Sequence, residues 1–220
     1  MPMPIPPKPT RAQQLLPKEC YFDPEWFERE HRELFSRSWT FACVVQDIPN
    51  PGDYRAVQVN RYPMVVIRGK DGEVKAYHNT CRHRGTKLFE DDQKGNCRHG
   101  IVCPYHAWTY NLDGTLRGAP AMSLNESFCK DDYRLPGVRC EEWQGWVFIS
   151  LDPGAPPVAE GLAEVEALIG DYGMGDYVET FFETHVWDTN WKVLAENFME
   201  SYHLPVCHAG TIGGLSRLED

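Results

Sequence analysis

The sequence has no apolar run approaching the roughly 18–20 residues that a membrane-spanning helix needs. Its proline-rich start, Met1–Pro9, also has no apolar core of a secretory signal. Basic residues are few, since Lys and Arg total 22 against 32 Asp and Glu, for a formal net charge of −10. These absences argue against a membrane or a nucleic-acid partner, because either favours clustered basic residues. We therefore expect a cytoplasmic protein.

Cysteine is also too sparse to build a disulfide scaffold, with eight in 220 residues. Reduced thiols or metal ligands are the better interpretation in the absence of an export signal. Hydrophobic residues make up 42% and charged residues 25%, which is typical of a globular chain. The length leaves room for one domain, or for one domain and part of a second.

The first half of the chain has the pattern of a β domain. Six prolines in the first 17 residues favour an extended arm, and Asp23–Arg37 has the apolar spacing of an amphipathic helix. From Trp39 onward, short β-branched and aromatic runs are separated by turn residues. This pattern predicts an antiparallel sandwich or small barrel up to residue 152, with hairpin tips at Lys70–Gly72 and Leu112–Gly114.

The second half begins after a linker at Asp152–Pro157 and mixes helix and strand signals. We predict a helix at Val158–Ile169, a strand at Tyr177–Trp187 and a helix at Asn190–His203 that Pro205 ends. A single strand cannot bury both of its faces, so this part is either an incomplete domain or one completed by another chain. The fold class is α+β. The predicted domains are 1–38 (arm and helix), 39–152 (β domain) and 153–220 (incomplete second domain).

Two short segments on predicted loops each offer a thiolate and an imidazole: Cys81-Arg82-His83 and Cys103-Pro104-Tyr105-His106. Thiolates stabilise ferric iron, and neutral imidazoles raise the reduction potential of an iron–sulfur cluster. The same set could bind zinc, although zinc sites usually pair two cysteines within one loop, or the four residues could be unrelated. Cys97 and His99 lie too near Cys103 to form another loop, and we expect a buried strand thiol and a solvated imidazole there.

A second set of candidate ligands lies in Asn190–His208. On a helix, Glu196, Glu200 and His203 would share one face, and His208 follows the proline. Two imidazoles and a carboxylate suit ferrous iron with open positions for oxygen and substrate. The alternative is an amphipathic helix with a solvated acidic face and two incidental histidines.

The first pair of segments resembles the Rieske [2Fe–2S] motif. The resemblance implies that Cys81 and Cys103 bind one iron and that His83 and His106 bind the other. The interval between the segments is slightly longer than usual, and we place the extra residues in the charged turn 90–95. Trp108 is expected to shield the site as a core aromatic residue.

The segment ENFMESYHLPVCH is similar to the mononuclear-iron motif of the α subunits of Rieske non-haem iron oxygenases. The resemblance implies that His203 and His208 bind Fe(II) and that Glu200 is the acidic residue between the two metal centres. Glu in place of Asp at this position resembles the branch of the family that acts on carnitine and similar quaternary amines. The third ligand of that family is a downstream Asp with no counterpart here, and we assign neither Glu219 nor Asp220.

The family likeness also implies an activity and partners. Electrons from NAD(P)H reach the cluster through a reductase, sometimes with a ferredoxin, and then pass to the iron for O2-dependent hydroxylation. The substrate would be an aromatic compound, as in aromatic hydrocarbon catabolism by a dioxygenase, or a quaternary amine dealkylated by a monooxygenase. The family forms trimers in which the short route runs from His106 to Glu200 of the partner subunit and then to His203 of the partner subunit.

The chain resembles the N-terminal half of such a subunit, in which an antiparallel Rieske domain precedes a helix-grip-like catalytic domain. We therefore expect the 220 residues to be inactive in isolation. One alternative is a Rieske-type electron carrier without an oxygenase centre, which mononuclear iron would distinguish. Another is a zinc-stabilised binding module without labile sulfide. The remaining cysteines are expected to be buried thiols: Cys20, Cys43, Cys129, Cys140 and Cys207.

Overall fold

The computed structural model describes residues 16–181 and 183–215, so nearly all of the predicted arm, together with Glu219 and Asp220, lies outside the described residues. The strands are β1 (Trp39–Val44), β2 (Asp53–Val59), β3 (Tyr62–Arg68), β4 (Val74–His78), β5 (Lys94–Asn96), β6 (Ile101–Val102), β7 (Thr109–Tyr110), β8 (Leu116–Gly118), β9 (Gly137–Trp143) and β10 (Trp146–Ser150). The helices are α1 (Pro24–Glu30), α2 (Val158–Gly161), α3 (Ala163–Ile169), α4 (Trp191–Met199) and α5 (Leu204–Cys207).

The strands form two antiparallel sheets. The larger has the order β1-β10-β9-β4-β3-β2-β5 and the smaller β6-β7-β8. This arrangement confirms the predicted antiparallel β domain and, with the helices, the α+β class. The predicted hairpin tips are also confirmed, since residues 69–73 join β3 to β4 and residues 111–115 join β7 to β8.

Strand β3 shows how the core is divided. Successive side chains of a strand point to opposite faces of the sheet. Val65 and Ile67 accordingly pack in one buried cluster, and Met64 and Val66 pack in another. The first cluster also contains Cys81, Cys103, Trp108 and Tyr110, so the two predicted ligand loops are rooted in a hydrophobic core.

The helices depart from the sequence predictions at several points. The helix predicted at Asp23–Arg37 is α1 followed by a π-helical turn, His31–Phe35. The helix predicted at Val158–Ile169 breaks at Leu162 into α2 and α3. The strand predicted at Tyr177–Trp187 is wrong, because the described residues of that stretch, all but 182, form no strand.

The end predicted for the helix at Asn190–His203 is also wrong. Helix α4 begins after Asn190, whose side chain accepts the Lys192 N–H, and ends at Met199. Pro205 lies in the first turn of α5, where the missing N–H of proline costs no helical hydrogen bond. Glu196, Glu200 and His203 therefore do not share one helical face.

The chain divides into two compact units. One comprises residues 30–182, and the other combines residues 1–29 with 183–220, in each case as far as the described residues reach. The first unit continues beyond the predicted domain limit at residue 152. Within the described parts of the chain, no helix has the length and apolar character needed to cross a membrane.

Candidate metal centres

The loops that carry the first four candidate ligands are built alike. In the first loop, the Cys81 N–H donates to the Thr86 carbonyl at 2.8 Å and the Gly85 N–H donates to the Cys81 carbonyl at 3.0 Å. In the second loop, Cys103 N–H donates to the carbonyl of Trp108 at 2.8 Å, and the N–H of residue 107 donates back to Cys103 at 3.1 Å. Both cysteines are therefore held at the start of a closed six-residue turn.

Each loop also contains a residue with positive φ at the same place. Gly85 has a φ of +70° and Ala107 a φ of +55°. Glycine adopts this conformation freely, whereas alanine is strained there. The repetition of the turn at Ala107, despite that strain, indicates that the two loops serve one shared site.

The structure brings the four predicted cluster ligands together in pairs. Cys81 and Cys103 are 2% and 3% exposed, and both belong to the same cluster of buried residues. The rings of His83 and His106 have centroids 4.8 Å apart. Two thiols beside two imidazoles are the donor set of a Rieske cluster, with two ligands for each iron.

One buried atom tests whether a cluster fits. The Nδ1 atom of His83 is buried and has no hydrogen-bond partner among the described residues. Buried polar atoms are almost always paired, so an unpaired nitrogen at this point fits a metal ligand. Burial, followed by the neighbouring His106 and Arg84, lowers the pKa of His83 and favours the neutral imidazole that binds metals.

Aromatic residues pack against these ligands. Trp108 is 2% exposed and stacks on the His83 ring with a centroid distance of 4.7 Å, which is the shielding position predicted for it. Exposed Tyr105 stacks on His106 at 3.7 Å. Tyr110 was not singled out from the sequence, yet its hydroxyl lies 3.2 Å from the Cys81 sulfur and accepts the Arg82 N–H at 3.0 Å.

The other cysteines lie apart from this cluster of ligands. All eight cysteines are free. Cys97 is half-buried directly after β5 rather than within the strand, and His99 is exposed as predicted. The prediction of buried thiols is confirmed for Cys20 and Cys43. Cys140 is half-buried, and the prediction is wrong for Cys129 and Cys207, which are exposed.

The second set of candidate ligands lies just after α4. The rings of His203 and His208 have centroids 5.4 Å apart. The Glu200 carboxylate contacts the Nδ1 atom of His203, and its other oxygen accepts the backbone N–H groups of Tyr202 and His203. These contacts, the His203 side chain foremost, lower the pKa of Glu200 and keep it ionised.

The contact with Glu200 also decides which nitrogen of His203 can bind a metal. A carboxylate on Nδ1 fixes the proton there, so Nε2 is the free ligand atom. A cavity of about 640 Å³ opens at this point, lined among others by Trp187, Asn197, Phe198, Glu200, His203 and His208. In the described part of the chain, no three His, Cys, Asp or Glu side chains are placed to hold one metal ion. His203 and His208 are thus two members of a ligand set.

Two family models match the chain. Residues 38–129 match the Rieske [2Fe-2S] domain, and residues 175–219 match the ring-hydroxylating α-subunit catalytic domain. The first match contains both ligand loops, and the second contains Glu200, His203 and His208.

Known proteins similar to the chain include the oxygenase subunits of two monooxygenases. The chain is 36% identical over 206 residues to the oxygenase subunit of glycine betaine monooxygenase from Chromohalobacter salexigens. This match covers 93% of this chain and 45% of that protein. It is 35% identical to the oxygenase subunit of carnitine monooxygenase from Acinetobacter pittii, covering 88% of this chain and 52% of that protein. The chain thus spans about half the length of these relatives.

Solved structures agree with this likeness. The quaternary ammonium Rieske monooxygenase CntA in complex with L-carnitine matches with a TM-score of 0.83 and 34% identity, covering 93% of this chain and 58% of that one. Naphthalene 1,2-dioxygenase with bound indole matches with a TM-score of 0.79 and 30% identity, covering 89% and 47%.

Proposed function

Because the chain combines a Rieske [2Fe–2S] domain with the beginning of a ring-hydroxylating catalytic domain, as the Rieske oxygenase α subunits do, we propose that it is the terminal oxygenase component of an O2-dependent hydroxylating system. The observation that carries the proposal is the pair of like-built loops, with two thiols in one buried cluster, two imidazoles in contact, and an unpaired buried nitrogen on His83.

The residues of the chain have separate tasks in this proposal. Cys81, His83, Cys103 and His106 would hold the cluster, and His203 and His208 would hold mononuclear Fe(II). When bound, these groups supply one-electron transfer and oxygen activation. Trp108 excludes water from His83, and Glu200 holds the proton on His203 Nδ1.

We assign the substrate class to quaternary amines, which are oxidatively dealkylated. The matched relatives named above are monooxygenases of glycine betaine and carnitine, and the glutamate at position 200 also favours quaternary amines as substrates. Oxidation of an aromatic ring is the second candidate, because the chain is also 34% identical to an α subunit of 2-aminobenzenesulfonate 2,3-dioxygenase.

The electron donors in this proposal are a reductase using NAD(P)H and, in some systems, a ferredoxin. The full-length protein would be a cytoplasmic homotrimer, with Glu200 of the partner subunit receiving the electron from His106. The position of His106 supports this route, since it is exposed at the tip of its loop.

The first experiment is anaerobic iron and acid-labile sulfide analysis, with EPR spectroscopy of the dithionite-reduced chain. We expect a rhombic Rieske signal with about two irons and two sulfides per chain. Cys81→Ser should abolish the EPR signal and the bound iron and sulfide, whereas Cys97→Ser, the matched control, should leave all three unchanged. Zinc without sulfide would overturn the proposal, and a cluster without iron bound at His203 and His208 in the full-length protein would favour the electron carrier.

Glu200 offers a test of communication between the two centres. In the full-length protein, Glu200→Ala should retain both metals but slow the oxidation of the reduced cluster by at least tenfold, because the carboxylate that orients His203 is lost. Stopped-flow spectroscopy of the prereduced protein with oxygen and substrate measures this rate. Glu200→Asp should retain more of the rate than Glu200→Ala, and full coupled turnover of Glu200→Ala would exclude the role.

A further inference from the structure

A second cavity, which contains none of the iron-ligand residues, lies within the unit formed by residues 1–29 and 183–220. Its volume is about 660 Å³, and its aromatic lining is Tyr21, Phe22, Phe27, Trp187 and Trp191, with the carboxylate of Asp23. We propose that this aromatic pocket binds a small quaternary ammonium compound. The choice of ligand rests on the substrate class in the proposed function.

Aromatic ring faces bind cations because their quadrupole is negative at the face. Two rings of the pocket already do so within the chain. The Lys192 ammonium lies 5.2 Å from the centroid of Trp191 and 5.8 Å from that of Tyr21. A quaternary ammonium group has no N–H that needs a hydrogen-bond acceptor, whereas a primary ammonium group has three. A mainly aromatic wall therefore binds a quaternary ammonium group more favourably than a primary one.

The pocket walls are fixed by polar contacts outside the cavity. The Tyr21 hydroxyl donates to the Glu196 carboxylate on α4, which raises the pKa of Tyr21 to about 12 and keeps the phenol neutral. Asp23 accepts the Glu25 N–H at 2.9 Å at the start of α1, which holds this carboxylate in the pocket wall. Preorganised walls reduce the entropic cost of binding.

Charge decides between a cation and a neutral aromatic ligand. Asp23 lines the pocket, and carboxylates outnumber lysine and arginine among the described residues of this unit, so the net charge stays negative despite the Lys192 ammonium beside Trp191 and Tyr21. An acidic environment attracts a permanent cation and gives a neutral ring no comparable advantage.

The pocket also has a defined neighbour. Trp187 lines both this pocket and the cavity that contains His203 and His208. A quaternary amine held here would therefore contact a residue that also lines the cavity of the candidate iron ligands.

The test titrates the chain that carries its iron and sulfide with choline and follows tryptophan fluorescence and the heat of binding. The neutral isostere 3,3-dimethyl-1-butanol serves as the reference ligand. We expect choline to bind at least tenfold more tightly than the isostere, because only choline gains cation–π and carboxylate interactions. Equal affinities for the two ligands would overturn the proposal.

Variants assign the binding to this pocket. Phe22→Leu and Asp23→Asn should each weaken choline binding about 3–10-fold, as expected for the loss of one ring or one charge. Phe22 is 68% exposed, so its replacement should not unfold the chain. Tyr172→Leu, which removes an aromatic residue with 67% exposure outside the pocket, should have no effect.

The remaining outcomes separate this inference from the proposed function. Phe198 lines the neighbouring cavity and not the aromatic pocket. If Phe198→Leu abolishes choline binding while Phe22→Leu does not, the ligand binds at the iron-ligand cavity and the aromatic pocket is excluded. Absence of choline binding in a chain that carries iron and sulfide would overturn the pocket alone, and zinc without sulfide would overturn the oxygenase proposal alone.

Discussion

At the scale of single residues, Tyr110 is the side chain best placed to tune the cluster. Because its hydroxyl oxygen accepts the Arg82 N–H, its own proton is available to the Cys81 sulfur. A hydrogen bond to a ligand sulfur stabilises the more negative, reduced state. Tyr110→Phe should therefore lower the reduction potential on the order of 50 mV, the equivalent of one hydrogen bond of about 1 kcal/mol.

Potentiometric titration followed by EPR measures this shift. Tyr133→Phe is the matched control, since Tyr133 packs edge-on against Trp108 in the same aromatic cluster and has no contact with a ligand sulfur among the described contacts. A potential that stays the same or rises in Tyr110→Phe would refute this function of the hydroxyl.

The same residues show how far the sequence predicts the site. The spacing within Cys81–His83 and Cys103–His106 predicts four ligands because each set is local. Tyr110 is different, because it reaches Cys81 through the pairing of β6 with β7, in which Ile101 lies opposite Tyr110. Such a contact depends on strand register, which no local motif contains.

At the scale of elements, the β7–β8 hairpin depends on Gly114. Its φ is +81°, and a Cβ atom there would lie 2.6 Å from a ring carbon of Tyr77. Gly114→Ala should destabilise the protein by about 2–4 kcal/mol, through backbone strain and the displacement of a buried ring. Urea unfolding measures the loss. Gly118→Ala, where a Cβ would meet nothing within 4 Å, should change stability by less than about 0.5 kcal/mol.

Helix ends were less predictable than hairpin tips. The tips carry Asp-Gly pairs that specify a turn. The end of α4 depends instead on Glu200, whose carboxylate accepts the N–H groups of Tyr202 and His203 and holds the chain in an extended conformation at Glu200. A side chain that competes with the helical hydrogen bonds ended the helix before Pro205 could.

At the scale of the whole molecule, the predicted linker is part of the β unit. Trp39 donates its indole N–H to the Pro156 carbonyl at 2.8 Å, and Glu141 accepts the Val158 N–H at 2.8 Å. Further along, buried Arg55 contacts Glu179 at 3.6 Å. These long-range contacts tie residues 153–179 to the sheet, whereas the sequence predicted a linker at Asp152–Pro157 and a second domain after it.

The unit of residues 30–182 should therefore fold and assemble a cluster without the rest of the chain. Both clusters of buried hydrophobic residues lie wholly within this unit. The four candidate ligands of the iron–sulfur cluster also lie within it: Cys81, His83, Cys103 and His106. We expect the fragment 30–182 to be monomeric and to contain about two irons and two sulfides, with the same reduced EPR signal as the full chain. Its Cys103→Ser variant, as control, should contain neither. The contrary outcome is a fragment that aggregates without sulfide while the 220-residue chain binds a cluster. This result would show that residues outside 30–182 are needed to form the site. The compact unit would then not fold independently.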